Sequence, residues 1–273
     1  MVMKKHLYYL LFLLLFWSCQ DVIEIDTPST EARLVVDANF NVYNNQNPTW
    51  VDGWIKLSLT TDYFDIEKNP INDAQVSITN VTDGTVYPFT SIGSAGFYKS
   101  ANDSFVPKFN NLYQLNIIYN TENYSAETTL IPSVPINKVT EGDGSLFGGD
   151  DTEIIVEYTD DPSRDDYYLF DLDFNEFLTT EDEFYQGETF IFSYFYDDLN
   201  SDQEVTIKIM GLEEQFYNYM NNILEQSGEG GGSPFQPTPS TIRGNIVNTS
   251  NSANFALGYF SISETYSYTL TIN

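Results

Sequence analysis

Few side chains in this 273-residue chain can do covalent chemistry, and the most telling is a cysteine. Cys19 is the sole thiol. It follows Lys4 and Lys5, an apolar run from Leu7 to Trp17, and the small Ser18. That is the layout of an export leader. The run is too short for a membrane-crossing helix, which takes about 20 residues. A small residue before a lone Cys points to cleavage ahead of Cys19 and acylation of its sulfur. Cys19 is therefore the expected lipidation site, and an N-terminal lipid would make a membrane the first partner. A single acyl chain anchors a protein only marginally; a bacterial lipoprotein carries several on one Cys.

The remaining reactive groups exclude more than they suggest. His6 is the one histidine and leaves with the leader. A mature chain without His or a free thiol cannot run Ser–His or Cys–His nucleophilic catalysis. It cannot build a His or Cys zinc site either. No P-loop or dinucleotide fingerprint is present. Carboxylates abound, and a glycosidase needs only two facing each other across a sugar. None sits in a distinctive setting, so no catalytic residue is assigned and the expectation is a protein that is not an enzyme.

Calcium is the one cofactor with candidate ligands. Asp198, Asn200 and Asp202, followed by Glu204, alternate as oxygen ligands do in a calcium loop. Gln203 stands where such a loop turns on Gly, and the terminal bidentate Glu is missing, so a solvated turn is the plainer explanation. Asp160, Asp161, Asp165 and Asp166 form a second acidic turn. For partner contact the candidates are aromatic and Pro residues: Tyr217 and Tyr219 on a helix, and Pro234, Phe235 and Pro237 in a Gly/Pro loop. Phe235 is awkward to place in a core.

Charge bounds the partners. Eleven basic residues face 40 acidic ones, a net charge of −29. Losing Lys4 and Lys5 with the leader takes this to about −31. Such a charge repels nucleic acid and anionic lipid. Apolar content of 41% is enough for real cores, and 16% aromatics favour strands. A single Cys allows no internal disulfide, so an exported chain must be held by packing.

The elements that position these residues read as mostly β. Residues 1–18 are the leader and 19–31 an acidic tether carrying Asp21, Glu24 and Asp26. Stretches 34–40, 54–60, 74–79, 85–90, 96–98, 113–119 and 124–130 read as strands, with Asp83-Gly84 as a hairpin turn. This predicts an immunoglobulin-like β-sandwich over 32–135, with some likeness to transthyretin-like sandwiches. Pro132 and Pro135 interrupt the pattern. A second β-rich domain is expected over 136–273, with strands at 153–158, 166–175, 188–195, 204–210, 242–247, 256–262 and 266–272. Phe216, Met220, Ile223 and Leu224 share one face of an amphipathic helix over 212–226. A flexible Gly/Pro loop follows at 228–239, and 248–254 reads as polar filler.

Three runs carry a resemblance: Q-F-Y-N-Y-M-N-N-I-L, then S-P-F-Q-P-T-P-S-T-I-R-G-N-I, then A-L-G-Y-F-S-I-S. With L-V-V-D-A-N-F and I-K-L-S-L-T-T-D-Y-F earlier, the chain resembles a Bacteroidota outer-membrane lipoprotein family, domain of unknown function 4249. It departs from the pattern at Asp37, where the family usually has Glu. The acidic tract behind Cys19 is similar to the signal that sends Bacteroidota lipoproteins to the cell surface. The resemblance implies a non-catalytic accessory to a TonB-dependent receptor-type β-barrel, lipid-anchored and facing the cell exterior. The competing expectation is a stand-alone surface lipoprotein that binds or degrades glycans.

Overall fold

The alternation in the first strand is kept by the folded chain. In the computed structural model, Leu34, Val36, Ala38 and Phe40 point into a core, and Asp37 and Asn39 point out. The structure describes residues 31–62, 69–143, 151–197, 199–227 and 241–273. Cys19, Asp198, Pro234, Phe235 and Pro237 lie outside the described residues.

In chain order the strands are β1 (Leu34–Tyr43), β2 (Trp50–Gly53), β3 (Ile55–Leu59), β4 (Asn69–Pro70), β5 (Gln75–Asn80), β6 (Val86–Ile92), β7 (Phe97–Ser100), β8 (Leu112–Tyr119) and β9 (Glu122–Ile131). The second half adds β10 (Ile136–Glu141), β11 (Thr152–Thr159), β12 (Tyr167–Asp171), β13 (Phe177–Glu181), β14 (Thr189–Tyr196) and β15 (Glu204–Leu212). Helix α1 (Glu214–Ser227) follows, then β16 (Val247–Asn248) and the long β17 (Leu257–Thr271). The fold is mostly β with sheets in a sandwich-like arrangement and one amphipathic helix among the described residues.

Strand β17 is the organiser. Its first part pairs in parallel with β1, Val35 opposite Leu257 through Val42 opposite Glu264. Ile262 and Ser263 also pair in parallel with Leu130 and Ile131 of β9. The path β17-β1-β3-β7-β6-β5-β8-β9 therefore returns to β17. Its inner faces share one core, in which Phe105 meets Phe40, Tyr87 and Tyr113 edge-on at 5.0, 5.3 and 5.6 Å. Such edge-to-face pairs suit the ring quadrupole.

The later part of β17 serves a second core. Residues 265–271 pair antiparallel with β15, which pairs with β12 and then β13. The three-stranded sheet β10-β11-β14 contributes Val139, Ile154, Val156 and Tyr196 to the same core as Phe170, Ile207 and Ile209. The boundary drawn at residue 135 falls between β9 and β10. The segment after it nevertheless supplies Ile246, Phe260 and Ile262 to the first core.

The connection itself is pinned at Ser133. Its N–H donates to buried Glu264 at 3.0 Å, its hydroxyl to the Ile209 carbonyl at 3.4 Å, and its carbonyl accepts from Arg164 at 3.2 Å.

Several expectations shift. The expected strands 256–262 and 266–272 are one continuous strand. The helix starts at Glu214 because β15 runs on to Leu212. Gly211 permits this: a Cβ there would sit 1.9 Å from the Pro132 carbonyl. β12 ends at Asp171, and Asp173, Phe174 and Asn175 then turn with positive φ. β2, β4, β10 and β13 lie outside the expected strands.

Candidate partner-contact surface

Helix α1 covers the outer face of the β13-β12-β15-β17 strands. Leu169 and Met210 are register partners whose side chains leave the face opposite to Phe170 and Ile209. They join Leu212, Phe216 and Tyr259 in a third, small core. Glu213 opens the helix, its carbonyl accepting from Phe216 and Tyr217 N–H at 3.0 Å. Its carboxylate accepts from the Tyr259 hydroxyl at 2.8 Å. Burial pushes the Glu213 carboxyl up, against the Tyr259 hydroxyl, which holds it down. Burial and the Glu213 charge together push the Tyr259 hydroxyl up.

The two candidate tyrosines are half-buried rather than freely displayed. Tyr217 packs on Tyr167 at 5.0 Å. Tyr219 lies against Phe216 at 6.1 Å and Tyr259 at 5.1 Å. Burial, with the Asp37 charge second, pushes the Tyr219 hydroxyl up. The exposed helix residues are polar: Glu214, Gln215, Asn218, Asn222, Glu225, Gln226 and Ser227.

Past the Gly/Pro loop the described chain resumes at Thr241, and its I-R-G-N-I run is clamped to the start of β17. A Cβ on Gly244 would fall 1.7 Å from the Gly258 carbonyl. Gly258 has φ of +98°, and a Cβ there would fall 1.8 Å from the Val36 carbonyl. Asn245 donates to the Phe260 carbonyl at 2.8 Å and accepts from its N–H at 2.9 Å. The expected strand 242–247 is replaced by this clamp: backbones this close are joined through a side-chain amide, and only β16 pairs, with β9. The quoted R-G-N-I and A-L-G-Y-F runs thus meet in space.

The clamp holds out Arg243. Its guanidinium lies 3.5 Å from the Phe255 ring centroid, and the Arg33 guanidinium lies 3.6 Å from the same ring. Arg33 also donates to the Ala253 and Phe255 carbonyls at 3.3 and 3.4 Å. Sequence could not show this pairing, since Arg33 and Phe255 are joined only by the first and last strands.

The stretch 248–254, read as filler, has a task. Asn248, Asn251 and Asn254 donate to the Glu122 carboxylate at 3.1, 3.2 and 2.6 Å, and the Tyr124 hydroxyl at 2.7 Å. These donors, Tyr124 foremost, hold the Glu122 carboxyl below the usual range. The Asn repeat at every third position was the available signal.

The acidic turn at 160–166 folds inward. Asp160, Asp166 and Asp182 are buried. The Tyr168 hydroxyl lies 2.6 Å from Asp160 and 2.7 Å from Asp166, and Arg164 donates to Asp166 at 2.7 Å. Burial pushes the Asp166 carboxyl up, opposed by the Tyr168 and Arg164 donors. Asp160 also accepts from the Gly187 N–H at 2.8 Å, which ties the turn to its neighbour.

The calcium candidates stand differently. Asn200 and Asp202 are exposed in a turn closed by Gln203 N–H to the Asn200 carbonyl, and Asp202 has φ of 66°. Among the described residues no group of three or more acidic, His or Cys side chains is placed to hold a metal. None of their helices is long and apolar enough to cross a membrane.

The chain matches the profile described as "Domain of unknown function (DUF4249)" over residues 20–269. Among solved structures it is similar to the selenomethionine-substituted chicken interferon gamma receptor alpha chain, at 11% identity, covering 67% of this chain and 90% of that chain. The TM-score is 0.21, too low to carry an argument. No curated protein matches the chain in sequence.

Proposed function

We infer that this chain, which belongs to the DUF4249 family, is a non-catalytic lipoprotein of the outer membrane. It is anchored through Cys19, faces the cell exterior, and serves as an accessory subunit of a β-barrel of the TonB-dependent receptor type or another outer-membrane complex. The observation that carries this reading is where the family match begins. It starts at residue 20, directly behind the lone Cys19, as a leader cut ahead of an acylated Cys19 would require. The acidic tether would let the folded body stand off from the bilayer. Helix α1 and the root of the Gly/Pro loop are the proposed contact surface.

Labelling cells with a clickable fatty acid tests the anchor. The wild-type chain is expected to take up label and fractionate with outer membrane. Cys19→Ser should lose both label and membrane fraction. A labelled C19S protein would remove the lipoprotein reading.

The stand-alone glycan binder keeps one supporting observation. Trp50 and Trp54 are 48% and 41% exposed, and Trp54 meets Phe97 edge-on at 5.6 Å. Phe97, Lys56, Ser58 and Asn69 line a cavity of about 580 Å³. Aromatic faces beside polar side chains suit a sugar, and glycan-array binding abolished by Trp54→Ala would favour this second reading.

A further inference from the structure

We propose that Arg33, Phe255 and Arg243 form a carboxylate-binding site. Both guanidinium centres lie within 3.6 Å of one ring centroid. Two cations that close cannot share a face, so they occupy opposite faces and stand roughly 7 Å apart. Stacking uses the flat face of a guanidinium; Arg33 spends its Nη1 on two carbonyls, which leaves its other nitrogens and the edge of the exposed Arg243 for an oxyanion. Arg243 is exposed, and neither it nor Arg33 forms an ion pair among the described residues.

That is unusual in this chain. Among the described residues the third arginine, Arg164, is engaged by both Asp161 and Asp166. Two like charges held close repel each other. An anion at the rim of the ring, between the two positive charges, relieves that repulsion. The support is rigid: Asn245 and the Gly244–Gly258 contact fix Arg243, and Arg33 is tied by two carbonyls.

The charge of the whole chain selects the anion. At −29 the protein repels a polyanion or an anionic membrane at long range. A single carboxylate meets little of that repulsion. Its source is either a small organic acid or an acidic side chain on a protein partner. The site stands on the described body and does not depend on the accessory role.

An arginine-selective Nε–Hε NMR spectrum of the full chain in detergent micelles holds three signals, one per arginine. The chain is titrated at constant ionic strength with glutarate, with end-blocked Gly-Glu-Gly, and with inorganic phosphate. Saturable shifts at Arg33 and Arg243, with Arg164 still, are expected for a carboxylate. Tighter binding of glutarate would point to a small acid, and tighter binding of the peptide to a partner side chain. Arg243→Gln should weaken the response at Arg33 about tenfold, and Arg243→Lys should restore it only in part. Equal drift of all three signals, or saturation with phosphate alone, would overturn the proposal.

Discussion

At the residue scale the chain resolves its acidic excess by burial and by amide donors as much as by ion pairing. Glu122 is caged by three asparagines and a tyrosine, and Glu213 faces Tyr259. The two carboxyls respond oppositely to pH. Glu213 is raised in the folded state, so its stabilising effect is complete below the unfolded value near 4.3 and is lost as pH rises through the folded value. Glu213→Gln should therefore match wild type at pH 4 and exceed it at pH 7. The gain is on the order of 0.5 kcal/mol, since the carboxyl keeps part of its hydration. Urea unfolding at both pH values checks this; a less stable E213Q at pH 7 would contradict it. Sequence marked Tyr217 and Tyr219 but not their packing partners. Tyr167 and Tyr259 come from distant strands, and only strand register sets them beneath the helix.

At the element scale, local patterns were legible and long-range ones were not. The alternation in 34–40 gave the inward face of β1, and Asp83-Gly84 gave a turn in which Asp83 accepts from Thr85 N–H at 2.8 Å. The apolar spacing of Phe216 and Met220 gave α1, within two residues of its start. β17 was split because S-I-S-E-T looks like a polar break. Its Ser261, Ser263, Glu264 and Thr265 are in fact buried: Ser261 donates to Asn39, Thr265 donates to Asn41, and Glu264 accepts from Asn44 and the Ser133 N–H. A polar residue meets its partner only after folding, so hydropathy alone misplaces it. The Gly/Pro loop reads as a loop because of its composition, and its root is set by Gly244 and Gly258. Gly258→Ala must both leave positive φ and displace the Val36 carbonyl. A loss of about 3 kcal/mol or more is expected, well above the usual cost of a point substitution. A change below about 1 kcal/mol in urea unfolding would show that β1 and β17 can separate freely there.

At the scale of the whole molecule, one strand joins two cores, with Ile262 in the first and Tyr266 and Leu270 packed against the second. The parallel pairing of β1 with β17 brings the first and last described strands together, which no local pattern can announce. The same pairing places Arg33, the helix face and the clamped loop root around the start of β17. That concentration of fixed, partly open side chains at one place is the surface on which the proposed binding role is to be tested for this member of the DUF4249 family. The decisive measurement is affinity purification of the tagged, acylated chain from detergent-solubilised outer membrane, read by mass spectrometry. A β-barrel protein recovered in stoichiometric amount is the predicted result. Recovery of the chain alone under gentle detergent would contradict the accessory role.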